Sequence, residues 1–160
     1  MNAPDHSIVP VRDESDIALA KELFVEYAAS ISIDLEYQGF SAELAGLPGK
    51  YSPPTGDLLI ARVNGEAVGC VALRALDRAT IEMKRLYVRP VARGLGLGKR
   101  LGEAAISCAR EYGYSELRLD TLATMVSAQA LYRSLGFVEI PPYGAAHVPG
   151  TVFFGLSLTA

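Results

Sequence analysis

Arg93-Gly94-Leu95-Gly96-Leu97-Gly98-Lys99 constrains the chain most, because it joins the most strand-like run to the most clearly amphipathic helix. Before it, Ile81 to Val88 reads as a strand closed by Arg89-Pro90; after it, Leu97, Leu101, Ala104, Ala105, Cys108 and Tyr112 recur at helical spacing. A strand, a glycine loop and a helix start in succession limit what the loop can hold. Glycines let the backbone approach a ligand closely, and the free N–H groups of a helix N-terminus, with roughly half a positive charge, favour an anion. A phosphate group is the expected guest.

Spacing narrows the ligand. A Walker loop, G-x-x-x-x-G-K-S/T, would need glycine where Arg93 stands and Ser or Thr where Arg100 stands. A dinucleotide fingerprint, G-x-G-x-x-G, would need its third glycine at Lys99, one residue past Gly98. The pattern that fits is R/Q-x-x-G-x-G/A, as Arg93, Gly96 and Gly98, inside a longer run L-Y-V-R-P-x-x-R-G-x-G-x-G at Leu86 to Gly98. A second run fits A-x-x-L-Y-x-x-x-G-F, as Ala128, Leu131, Tyr132, Gly136 and Phe137. On these two anchors the chain resembles the GNAT (GCN5-related N-acetyltransferase) family, over roughly Leu58 to Leu158, and by element order alone in its N-terminal part.

The 160 residues, half of them hydrophobic, suffice for one domain with a proper core, so residues 1–160 are expected to form a single domain. A net charge of −3 and the lack of a long basic stripe argue against nucleic acid as a partner. No apolar run approaches the roughly 20 residues a bilayer requires, and Met1 to His6 lacks the basic start and apolar run of a signal peptide, so no membrane partner and a cytoplasmic location are expected. Cys70 and Cys108 lie in apolar patterns without metal-ligand spacing and read as buried free thiols, with no disulfide and no metal site.

In chain order, Ile8 to Val11 reads as a strand, and Asp13 or Ser15 can cap a helix carrying Ile17, Ala20, Leu23, Phe24 and Tyr27 on one face. Ile31 to Phe40 is a loop, and Ser41 can cap a short helix before Pro48-Gly49. Leu58 to Val63, Asn64-Gly65 and Ala67 to Leu73 form a hairpin signal, and the Ile81 to Val88 strand completes a meander. Helix, strand, helix and two closing strands follow at Gly98 to Tyr112, Leu117 to Leu122, Ser127 to Leu135, Phe137 to Ile140 and Val152 to Leu158. The class expected is α/β (α+β): a mixed, mostly antiparallel sheet of about six to seven strands with helices on both faces. The order β-α-α-β-β-β-α-β-α-β-β is also that of the GNAT fold.

The resemblance implies acetyl-CoA as cosubstrate. It assigns the pyrophosphate to the N–H groups of Arg93, Gly94, Gly96 and Gly98, with Lys99 adding charge, and the pantetheine arm to backbone groups of Leu86 and Val88 exposed by a bulge. Met125 stands where many members of the family have an Asn that helps hold the cofactor. Tyr132 matches the position of the residue that protonates the departing thiolate; a phenol with a reference pKa near 10 can do so, while an amphipathic-helix tyrosine docked on the core is the plainer reading. Glu82 stands where histone-type members carry a general base, or it is a strand carboxylate paired with Lys84 or Arg85. The implied acceptor site is walled by Asp34, Glu36, Tyr37 and Phe40 on one side and by Tyr143 and His147 on the other; the plainer readings are a solvated loop and an exposed histidine. The function expected is direct transfer of an acetyl group to the primary amine of a small molecule. A protein or peptide acceptor, and a non-catalytic acyl-CoA-binding module, are the alternatives. The fold also allows a homodimer by exchange of the closing strand.

Overall fold

The computed structural model describes residues 5–31, 33–144 and 147–159; the N-terminal residues 1–4, Ser32 in the first loop, Ala145 and Ala146 in the last loop, and Ala160 lie outside the described residues. A strand β1 (His6–Pro10) leads into helix α1 (Glu14–Ser30), a turn of 3-10 helix (Leu35–Gln38) and helix α2 (Phe40–Ala45). Then come β2 (Asp57–Val63), β3 (Glu66–Ala75), β4 (Thr80–Val88), α3 (Leu97–Glu111), β5 (Glu116–Leu122), α4 (Val126–Ser134), β6 (Val138–Ile140) and β7 (Thr151–Ser157). One mixed sheet of seven strands results, in the order β1-β2-β3-β4-β5-β7-β6.

Local chemistry sets most boundaries. Asp13, and not Ser15, caps α1, its carboxylate accepting the Asp16 N–H at 2.9 Å. Gly39 opens α2; Ser41 lies inside that helix and donates its hydroxyl to Glu36. Asn64 and Gly65 both take positive φ, 51° and 83°, the type I′ geometry whose twist matches the strands it joins. β4 and β5 are the one parallel pair, as a strand–helix–strand crossover in one sheet requires.

The sheet buries both faces. Leu59, Val71, Leu73, Ile81, Leu117 and Phe154 pack under Leu101, Ala105 and Ala109 of α3 and Tyr132 of α4. Leu58, Ile60, Cys70, Ala72 and Tyr87 pack under Leu23 and Phe24 of α1 and Phe40 of α2. Cys70 is fully buried, but Cys108, on the flank of α3, is only half-buried, with its thiol 3.8 Å from Asp57.

One register irregularity matters beyond the fold. Cys70 pairs with Tyr87 but Ala72 with Lys84, so β4 carries an extra residue there, and Arg85 within the bulge has φ 61°. The bulge resets the alternation of side chains. Ile81, Met83, Leu86 and Val88 face α3, while Glu82, Lys84, Arg85 and Tyr87 face α1 and α2.

At the start of β2, the buried Asp57 joins three elements. Arg12, just past β1, donates two hydrogen bonds at 2.7 and 3.0 Å, Tyr112 after α3 donates one at 2.6 Å, and the Leu58 N–H donates another at 2.9 Å. Burial would raise the carboxyl's pKa, but the hydrogen bonds from Arg12, Tyr112 and Leu58 outweigh it and hold the pKa below the usual carboxylate range. A lowered folded pKa contributes stability above the unfolded value near 3.9 that is lost as pH falls through the folded value. Asp57→Asn should therefore destabilise the protein at pH 7, and the gap to wild type in urea unfolding should shrink as pH falls below about 4. An unchanged gap would rule out the ionised carboxylate as its source.

Candidate active site

The bulge and the crossover together open the sheet. β4 and β5 pair only at Thr80 to Glu82 with Glu116 to Arg118. From Met83 to Val88, β4 has no partner on β5 among the described residues, and Arg85 and Leu86 have none on β3. Unpaired backbone groups in such a gap need partners, and an extended ligand can supply them. The gap holds a cavity of about 300 Å³ lined by β4, β5, α1 and α4, with Met83, Leu86, Val88, Asp120 and Tyr132 among its walls.

Arg93 and Gly98 sit at the mouth of this cavity. Gly94 and Gly96 have φ of 86° and 75°, and a Cβ on either would meet no protein atom within 4 Å, so the loop is open to a close-fitting ligand. Gly96 caps α3 without a side chain, which leaves N–H groups of the first helical turn for an anion. Lys99 is exposed one residue further on, and Arg93, also exposed, donates from Nε to the Val88 carbonyl at 3.2 Å. An open glycine cradle, an uncapped helix start and two cations fit a pyrophosphate. Met125, at the N-cap of α4, lines the cavity and accepts a contact from the Thr121 hydroxyl at 3.5 Å.

Tyr132 is held by the core, its ring 6.0 Å from that of Phe137 and 6.2 Å from that of Phe154. Its hydroxyl makes no hydrogen bond with the described residues, and burial raises its pKa, so it stays protonated throughout the neutral range. Asp120, on β5, lines the same cavity. Its carboxylate likewise has no hydrogen bond or ion pair with the described residues. Burial raises its pKa, an effect that nearby Lys84 opposes without cancelling.

A second chamber, of about 330 Å³, lies on the α1 and α2 face and shares Tyr37, Gln38, Lys84, Arg85 and Asp120 with the first. Glu82 is in its wall, buried, with both oxygens engaged: Arg74 Nε donates to Oε1 at 2.9 Å and the Tyr143 hydroxyl to Oε2 at 2.7 Å. Arg85 is closed off by Glu43, at 2.9 and 3.1 Å, and by Gln38 at 2.9 Å, and lies over the rings of Tyr27 and Phe40.

The acceptor-site residues expected from the sequence are not brought together. Tyr37 lines both cavities, but Asp34 and Glu36 are exposed and line neither. Asp34 accepts the Glu36 N–H at 2.9 Å, and Glu36 accepts the Ser41 N–H at 3.0 Å, so both carboxylates serve the helical turns they begin. Phe40 is in the core beneath Arg85. His147 is exposed, with its ring edge on Phe153 5.4 Å away, and lines neither cavity, whereas Tyr143 from the same loop does reach the second chamber. Of the charged residues that line it, Arg74 and Asp120 were not expected from the sequence, and Lys84 was expected only as a partner of Glu82. The available signal was that a strand covered by helices on both faces must bury its polar face, too.

A parallel strand pair opened into a V, a glycine loop on a helix N-terminus behind it and a buried tyrosine within the gap define a class of acyltransferase. The match to a family model agrees: residues 54–139, over half the chain, fit the acetyltransferase (GNAT) domain, and the protein belongs to the GNAT family. It is therefore an N-acetyltransferase dependent on acetyl-CoA. An uncharacterized N-acetyltransferase of Schizosaccharomyces pombe is 40% identical over 161 residues, covering 99% of both chains. N-acetylaspartate synthetase of Danio rerio is 34% identical over 110 residues, 68% of this chain and 39% of its own length. An acetyltransferase structure from Salmonella typhimurium, described with its cofactor acetyl-CoA, superposes with a TM-score of 0.68 at 23% identity, over 96% of this chain and 94% of the other.

The open cradle carries a specific expectation. Gly96→Val should cost the fold on the order of 1–2 kcal/mol for forcing a branched residue to positive φ. It should also abolish the rise in melting temperature that acetyl-CoA gives the wild type by mass action. A variant that folds and keeps the full rise would place the ligand elsewhere.

Proposed function

We propose that the protein transfers the acetyl group directly from acetyl-CoA to the primary amine of a small molecule, with both substrates bound at once. The observation that carries this reading is that the two cavities share Asp120 and Lys84 in their walls, so that a donor in one would lie beside an acceptor in the other. Acetyl-CoA supplies the acyl thioester. The N–H groups of Arg93, Gly94, Gly96 and Gly98, with Lys99, hold its pyrophosphate, and backbone groups of Leu86 and Val88 align its arm. The Leu86 N–H, without a ladder partner, polarises the acyl oxygen. Tyr132 donates its hydroxyl proton toward the leaving sulfur.

An ammonium cannot attack a carbonyl carbon, so the acceptor must lose a proton. Asp120 is the carboxylate placed to take it: uncommitted, largely buried and in both cavities. Glu82 is given a positioning role instead, since Arg74 and Tyr143 occupy its oxygens. A chamber of about 330 Å³ suits a metabolite better than an extended peptide. The relative from Danio rerio, named for N-acetylaspartate, supports a small acceptor in the same way.

Asp120→Asn should lower kcat by about 10²- to 10⁴-fold. In the wild type kcat/KM should rise with pH through an ionisation above the ordinary aspartate value near 3.9, and this limb should vanish in the variant. Tyr132→Phe should lower kcat by a similar factor while leaving the acetyl-CoA-induced rise in melting temperature intact. Steady-state kinetics across pH, with thermal unfolding as the binding control, checks all three. Full activity in Asp120→Asn would remove Asp120 from the mechanism.

A further inference from the structure

The polar groups of the second chamber divide into those already satisfied and those left over. Glu82 and Arg85 are satisfied, the first by Arg74 and Tyr143, the second by Glu43 and Gln38. Lys84 is not. Its side chain is only 8% exposed, yet among the described residues Nζ has one hydrogen bond, to Gln38 Oε1 at 3.1 Å, and its nearest carboxylate oxygen, on Glu82, is 3.8 Å away. An ammonium has three N–H donors, so two stay free in a place where an unmatched charge is costly. Burial lowers the Lys84 pKa despite the attraction of Glu82 and Asp120. Arg74 is bound through Nε alone among the described residues, which leaves both terminal nitrogens of its guanidinium fork. Tyr37 accepts from Gln38 at 2.8 Å and keeps its own O–H to give. Against these donors stands one side-chain carboxylate in the chamber with no hydrogen bond among the described residues, Asp120.

We propose that the acceptor is an amino acid, its carboxylate bound by Lys84 and the guanidinium fork of Arg74 and its amine turned toward Asp120. This inference rests on the reading of the chain as a small-amine acetyltransferase and names the acceptor class. A planar carboxylate matches the guanidinium fork in a bidentate pair and supplies Lys84 with a hydrogen-bonded counter-charge closer than Glu82 at 3.8 Å. The amine at the other end meets the one free carboxylate, beside the cavity in which the thioester is placed. A diamine or polyamine is the wrong complement, because its second cation would face Lys84 and Arg74. A peptide N-terminus lacks the free carboxylate close to the amine.

The test uses purified protein, acetyl-CoA and a panel of free L-amino acids, each set beside its carboxamide and its decarboxylated amine, with short peptides as a further arm; thiol release reports turnover. Amino acids should exceed their uncharged counterparts by about 10²-fold or more in kcat/KM, since a site built around a polar group rejects the analogue without it. The ratio should collapse toward one in Lys84→Gln. Arg74→Gln should do the same, but it also frees buried Glu82, so its fold is checked by circular dichroism and the Lys84 variant carries the result. Equal or better turnover of carboxamides, decarboxylated amines or peptides overturns the carboxylate site and leaves N-acetyl transfer standing. No turnover of any amine, with the acetyl-CoA-induced rise in melting temperature intact, overturns the small-amine reading and this inference with it.

Discussion

The extra residue in β4 is the constraint on which the rest depends. Arg85 sits at positive φ, a conformation that costs a branched-chain-sized residue on the order of 1–2 kcal/mol, and it is buried as a cation. Glu43 and Gln38, with the faces of Tyr27 and Phe40, hold the guanidinium where the bulge requires it. The strain is thus met by a closed polar cluster reaching from α2 and the turn before it. Without the bulge, Leu86 and Val88 would point to the opposite face and Leu86 would stay in register with β3.

From that bulge follows a sheet that is continuous at one end and open at the other. Pairing between β4 and β5 stops after Glu82, and the gap exposes residues from both faces of the sheet to one another. The glycine loop, entered from β4 through a 3-10 turn at Pro90–Ala92, lies at the gap's mouth, and α3 starts there without a side-chain cap. Tyr132 and Asp120 meet across the same space although they belong to different layers: the tyrosine rests on the α3-side core, and the aspartate projects toward the α1 and α2 side. Polar groups held between two packed layers are shielded from water, which strengthens their electrostatics.

Elements encoded by short-range chemistry were legible from the residues. Asn64-Gly65 defines its turn by tolerance of positive φ, and the anchors at Leu86 to Gly98 and Ala128 to Phe137 carry family identity in contiguous residues. The acceptor side was not legible in this way. Asp34 and Glu36 looked like an anionic site because carboxylates beside aromatics suit a cation, yet next to free helical N–H groups they serve as caps. Asp120 alternates with Leu117 and Leu119 along its strand, a position that faces outward in a sheet covered on one side only. In a sheet covered on both faces, the outward position is an interior one.

The chain alone determined the order of its elements, the open glycine loop at the start of α3 and the position of Tyr132 on α4, since each rests on local backbone preference or on a motif within about a dozen residues. Tertiary structure alone decided which charges remain free. Glu82 is committed because Arg74 and Tyr143, from β3 and a loop 61 residues away, converge on its two oxygens. Among the described residues no partner reaches the Asp120 carboxylate, and Lys84 has only Gln38 at hydrogen-bond distance, with Glu82 at 3.8 Å. Hydrogen-bond satisfaction is a property of the whole packed set of groups, and a sequence shows the donors and acceptors without showing which of them meet.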